Sequence, residues 1–152
     1  MMHYHATPED HAVLEKKGFL LVDSGATYMD GTTDITRTYP LGPLTEDEKR
    51  FYTWTLQSHI DLAKAVWLDY CECKMIDTIA REPLWRHLIN YRCGTGHSVS
   101  FVGNVHEGPH ALNSRNTTRM RPGMVVTDEP GVRDRPRGHP HRERAGVRAQ
   151  GR

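Results

Sequence analysis

The sequence predicts an α+β fold on three observations. Short β-type runs punctuated by glycine fill residues 18–39, a capping box at residue 45 opens a helical apolar stripe, and a second helical stretch gives way to irregular text and one more β-type run at 123–127. With 152 residues, 37% of them hydrophobic, the chain has material for one core.

Gly18-Phe19-Leu20-Leu21-Val22 is a short apolar run and reads as a buried strand. Asp23-Ser24-Gly25, taken alone, is a turn after it. Ala26–Met29 and Asp34–Tyr39 continue as strands around Asp30-Gly31, a hairpin signal that lets Asp23 and Asp34 face each other across neighbouring strands. Thr45-Glu46-Asp47-Glu48 is a capping box, and the helix it opens has an apolar face of Tyr52, Leu56, Ile60, Ala63 and Trp67 opposite a solvated face of Lys49, Thr53, Gln57, Asp61 and Lys64. After the connector Asp69–Lys74, a second helix runs from about Met75 to Ile89, kinked or restarted at Pro83. From Asn90 to Pro109 the text is glycine-rich and irregular, and Gly123–Thr127 is a strand leading into Asp128-Glu129-Pro130-Gly131.

Charge and cysteines narrow the function classes. The net charge is +1, yet residues 133–152 carry seven arginines against Asp134 and Glu143, so the tail holds +5 and the body −4. Basic character confined to the tail argues against nucleic-acid binding by the body. No apolar run reaches membrane-span length and Met1-Met2-His3-Tyr4-His5 is no signal peptide, so a soluble, cytoplasmic protein is expected. Cys71, Cys73 and Cys93 form no even framework and read as free thiols in a reducing compartment.

Asp23, Asp34, His97 and Glu129 have the composition of a two-metal hydrolytic centre. Two divalent ions about 3.5–4 Å apart need several anionic oxygens, one of them bridging, and room for a shared water. Carboxylates with one imidazole favour manganese, cobalt, iron or zinc, and the absence of thiolate from the set disfavours a structural zinc knuckle. Aspartate is disfavoured in strands, so a half-buried Asp34 calls for a cation or several donors; Arg37 is the structural alternative. Three other motifs are set aside. His106-Glu107-Gly108-Pro109-His110 matches the His-Glu-x-x-His zinc pattern, but glycine and proline cost about 1 and 3 kcal/mol inside the helix that the pattern requires. His106 is better read as a loop histidine that donates to substrate or transition state. Gly94-x-Gly96 lacks the lysine of a phosphate loop, and Cys71-x-Cys73 lacks a second ligand pair.

The strings Leu21-Val22-Asp23-Ser24-Gly25, Thr33–Thr38, Gly94-Thr95-Gly96-His97, Asn104–Pro109 and Val126–Gly131, in that order, resemble the Xaa-Pro aminopeptidases of the pita-bread metallopeptidase family. The similarity covers residues 1 to about 132 and includes His3-Tyr4, which looks like a histidine-tyrosine pair bordering the substrate pocket. The resemblance implies an α+β pita-bread fold, incomplete at both ends, with two divalent ions, most often manganese, and with cobalt or zinc as alternatives. It implies that Asp23 binds one metal, Asp34 bridges both, and His97 and Glu129 complete ligation. Glu129 would accept a proton from the bridging water, while His106 and His3 contact substrate or steady the oxyanion. The reaction implied is removal of an N-terminal residue that precedes proline, from a peptide substrate, by an enzyme that is often a homodimer.

After Val132 the text departs from the family. Residues 133–152 are expected as a divergent, disordered tail appended to a partial catalytic domain of 1–132. The family's Arg-x-Glu strand, which supplies a second bridging carboxylate, is replaced; Glu143 stands fourteen residues after Glu129, a spacing common in the family, in altered surroundings. The string His139–Gly146 is what the family text gives when G/C-ending codons are read out of frame, which points to a frameshift. Competing readings are a proline dipeptidase with the same ligands, and a non-catalytic fragment or binding module that kept the fold and lost the metals.

Overall fold

The computed structural model describes residues 6–133 and 146–148. His3 and Glu143, two of the expected site residues, lie outside them. In order the elements are β1 (Phe19–Tyr28), β2 (Gly31–Pro40), α1 (Glu46–Lys64), α2 (Cys73–Trp85), β3 (Gly96–His97), β4 (Ala111–Leu112), β5 (Gly131–Arg133) and β6 (Gly146–Arg148). The strands pair antiparallel as β1–β2, β3–β4 and β5–β6.

The expected hairpin is present, in longer strands. The runs at 18–22 and 26–29 merge into one ten-residue strand, so Asp23-Ser24-Gly25 is mid-strand and not a turn. Pairing with β2 runs from Phe19↔Pro40 to Tyr28↔Gly31 and satisfies the backbone groups that face the partner strand.

α1 begins as the sequence requires. Thr45 accepts from the Glu48 amide, and the Glu48 carboxylate accepts from the Thr45 amide at 2.8 Å. Its buried line is a correction: Thr55, Ser58 and Leu62 are inside, while Tyr52, Leu56 and Ile60 stay 36–37% exposed. The line is turned by about 130° at 3.6 residues per turn. Thr55 and Ser58 can be buried because their hydroxyls donate to the Phe51 and Trp54 carbonyls of their own helix. Trp67 lies beyond the helix.

α2 starts at Cys73, inside the expected connector, and contains Pro83 without interruption. Pro83 has no amide to donate to the Ile79 carbonyl, so one helical bond is missing near the end of α2 at Trp85. Cys73, Ile76 and Ala80 of α2 join Leu62, Leu112 and Met120 in the main apolar cluster, and Leu84, Tyr91 and Val132 form a second one. The expected strand at 123–127 is absent as a regular element, and the next strand is β5. In the tail, Gly146-Val147-Arg148 pairs with the identical tripeptide Gly131-Val132-Arg133, an element that the sequence reading did not include. No helix among the described residues is long and apolar enough to cross a membrane.

Candidate metal centre

The hairpin presents two carboxylates on one face. Asp23 pairs with Thr36 and Asp34 with Gly25, so the two aspartates are diagonal neighbours and do not face each other as expected. Buried Thr36 donates its hydroxyl to Asp23 Oδ1 at 2.8 Å. Glycine opposite Asp34 leaves that carboxylate uncrowded, and a Cβ at Gly25 would lie 2.7 Å from the Thr33 carbonyl.

Two short backbone segments deliver the other candidate ligands. β3 is held on one side by β4 and on the other by the extended stretch before Glu129: the Thr127 amide donates to the His97 carbonyl at 2.8 Å and the Glu129 amide to the Thr95 carbonyl at 2.6 Å. The His97 amide donates to the Thr127 hydroxyl at 2.9 Å in place of a backbone carbonyl, which breaks the ladder at Thr127. Approach at Gly96 is so close that a Cβ would sit 1.8 Å from the Thr127 carbonyl.

These segments bring together Asp34, His97 and Glu129, whose donor atoms all lie within 4.8 Å of one another. His97 Nε2 is 3.1 Å from Asp34 Oδ2 and 3.0 Å from Glu129 Oε1, and the three side chains are 8%, 14% and 4% exposed in the order Asp34, His97, Glu129. His97 Nδ1 lies 3.0 Å from the Ser98 carbonyl. With a proton on Nδ1 the Nε2 lone pair faces two carboxylates, an arrangement that only a cation or a second proton makes favourable. Burial opposes that proton on His97, but the Glu129 hydrogen bond, the Ser98 carbonyl and the charges of Glu129 and Asp34 outweigh it and raise the imidazole pKa. Two carboxylates and one imidazole nitrogen suit a divalent borderline ion. Asp23 stands outside this group, on the same strand face.

His106 is an exposed loop residue whose ring stacks on His97 at 3.7 Å and 16°. The zinc-protease reading is excluded by geometry, since 106–110 is not helical and His110 is buried with Nε2 2.8 Å from the Val125 carbonyl.

Sequence reasoning missed the supports. Thr127 gave no signal beyond its place in a quoted string. His59, on α1, brings Nδ1 to 2.8 Å from Asp128 Oδ2. Burial, with the charge of Glu129, pushes Asp128 up to about 8. Burial and the Arg37 charge lower His59 despite its contact with Asp128. A cavity of about 430 Å³ opens beside Asp34 and Asp128, walled by apolar residues including Leu62, Trp67, Ile76 and Val126.

A model of metallopeptidase family M24 matches residues 1–150. A probable Xaa-Pro aminopeptidase P of Laccaria bicolor is 44% identical over 134 residues, 86% of this chain and 21% of that protein. Aminopeptidase P1 of Lotus japonicus is 43% identical over 132 residues, 86% of this chain and 20% of that protein. Among solved structures, the X-prolyl aminopeptidase from Caenorhabditis elegans, a cytosolic enzyme with a di-nuclear active site, superposes with a TM-score of 0.76 at 36% identity, over 87% of this chain and 20% of that one. The prolidase from Pyrococcus furiosus superposes with a TM-score of 0.73 at 29% identity, over 88% of this chain and 37% of that one. The chain thus spans about a fifth of the length of the curated relatives it matches.

Proposed function

The chain belongs to metallopeptidase family M24, its mixed helices and strands being part of the pita-bread fold, and from that premise we propose that residues 1–132 are the ligand-bearing part of a metal-dependent Xaa-Pro aminopeptidase, with 133–152 a divergent tail that returns to β5 through Gly146–Arg148. The observation that carries the reading is the convergence of Asp34, His97 and Glu129 within 4.8 Å. Asp34, His97 and Glu129 would hold the metal, with Asp34 in the bridging role and Asp23 contributing from the same strand face. Manganese is the preferred pair, with cobalt or zinc accepted. Bound there, two divalent ions supply Lewis-acid polarisation of the scissile carbonyl and a water acidic enough to attack near neutral pH.

The chain's own residues do the rest. Glu129, almost wholly buried, takes the proton of the attacking water. His106, exposed and stacked on His97, donates to the oxyanion, and His3 borders the substrate. The substrate is a peptide with proline second, and the assembled enzyme is a cytoplasmic homodimer. The likeness to the Pyrococcus furiosus prolidase supports a second reading, a proline dipeptidase with the same ligands.

The test is a chimera in which residues 6–132 replace the matching part of the Laccaria bicolor relative. It is expected to cleave Xaa-Pro tripeptides with manganese and to lose this activity and metal with Asp34→Ala. His106→Ala is expected to keep its metal and lose about 10²–10³ in turnover. A chimera that binds two ions yet leaves proline peptides intact, or loss of metal from His106→Ala, overturns these roles. Cleavage of Xaa-Pro dipeptides alone selects the dipeptidase, and absence of metal selects a binding module.

A further inference from the structure

β3 is two residues long and cannot hold His97 against Glu129 by its own ladder. What holds it leads back to α2. Arg81, 7% exposed, spends its donors inward: Nε on Asp77 Oδ2 at 2.7 Å, Nη1 on Asn90 Oδ1 at 2.9 Å and on the Tyr91 carbonyl at 2.7 Å, and Nη2 on the Cys93 carbonyl at 2.9 Å. The guanidinium lies 4.1 Å from the centre of the Tyr91 ring. Asp77, 1% exposed, uses its other oxygen to accept the hydroxyl of Thr95, and the Tyr91 hydroxyl lies 2.5 Å from the same Thr95 oxygen.

Thr95 is where these bonds meet the metal centre. Its side chain is fully buried, its amide donates to Leu112 of β4 at 2.7 Å, and its carbonyl accepts the Glu129 amide at 2.6 Å. One residue therefore joins α2, β4 and the Glu129 segment, two positions before His97. A buried ion pair is weak evidence of stability, since desolvation cancels much of its attraction. A satisfied polar network does fix a unique arrangement of the backbone around it.

We propose that Thr95, anchored to α2 through Asp77 and Arg81, is a positioning residue that sets the separation of His97 and Glu129 and so the affinity of the centre for divalent cations. The inference rests on the metal reading given above. Outer partners of ligands typically contribute about 10–100-fold in metal affinity, and Thr95 acts on two ligands through the backbone.

The experiment titrates the present chain with cobalt, following the visible spectrum, and compares Thr95→Val with Thr95→Ser. Thr95→Val is expected to bind about 10–100-fold more weakly with unchanged circular dichroism, and Thr95→Ser, which keeps the hydroxyl, to recover the parent spectrum and affinity. A folded Thr95→Val with parent affinity and spectrum overturns the proposal, because a purely structural role would lower the melting temperature and leave cobalt binding alone. Should Thr95→Val not fold, Tyr91→Phe removes one bond to the same hydroxyl without altering charge; a folded Tyr91→Phe is expected to show reduced affinity, and parent affinity there counts against the proposal. Hydrogen exchange without metal separates the two readings. If the parent chain takes no cobalt, the metal reading fails, and the clamp is judged by the Glu129 amide: about tenfold faster exchange in Thr95→Val with α1 unchanged supports it, and equal exchange overturns it.

Discussion

At the scale of single residues, Asp128 beside the centre has a shift whose consequence for stability can be worked out with its sign. Asp128 titrates at about 8 against an ordinary value of 3.8, because burial and the neighbouring Glu129 disfavour its charge. Between those two values the folded chain keeps a proton that the unfolded chain gives up, so stability falls as pH rises through the window, and the whole penalty is present above about 8. His59 beside it is lowered by burial and the Arg37 charge, and being neutral in the upper part of the window it gives no compensation. Asp128→Asn should therefore melt at nearly the parent temperature at pH 4 and above it at pH 8, in metal-free solution. A melting difference that does not grow with pH would refute the assignment. His59 and Asp128 were invisible as a pair in the sequence, since sixty-nine positions separate them. Asp34, His97 and Glu129 were legible because each stands in a short string of neighbouring residues and their joint occurrence suits cation chemistry.

At the scale of elements, α1 was legible at its start and not in its orientation. Capping is local chemistry, readable from four consecutive residues, and Thr45→Ala should cost about 1 kcal/mol. A melting temperature within error of the parent would mean the cap is idle; cobalt affinity should not change, since Thr45 is not among the three converging ligands. Which face is buried depends on how closely a neighbour approaches, and a threonine and a serine satisfied by their own helix took the place of tyrosine and isoleucine. β3 makes a sharper case. Gly96 is pressed against the Thr127 carbonyl, so Gly96→Ala must push apart the segments that carry His97 and Glu129. The expected result is loss of cobalt binding together with a lower melting temperature; an alanine variant with parent affinity would show that the contact is not needed.

At the scale of the whole molecule, ligand count sets the expected stoichiometry. Three donors converge, Asp23 stands off on the same strand face, and Glu143 lies outside the described residues. Two cations held by so few carboxylates are poorly neutralised, so elemental analysis of the purified chain after manganese dialysis should give fewer than two ions per chain. Two tightly held ions would mean that the tail supplies a ligand. By itself the sequence determined the hairpin, the α1 cap and the family, and it singled out Asp34, His97 and Glu129 as candidates, because each is written in short stretches of neighbouring residues. Tertiary structure alone decided the diagonal offset of Asp23 and Asp34, the turned face of α1, the broken ladder at Thr127 and the α2 anchor on Thr95. Register, rotation and close backbone approach are set by contacts between segments distant in the chain, and no local pattern records how near those segments come.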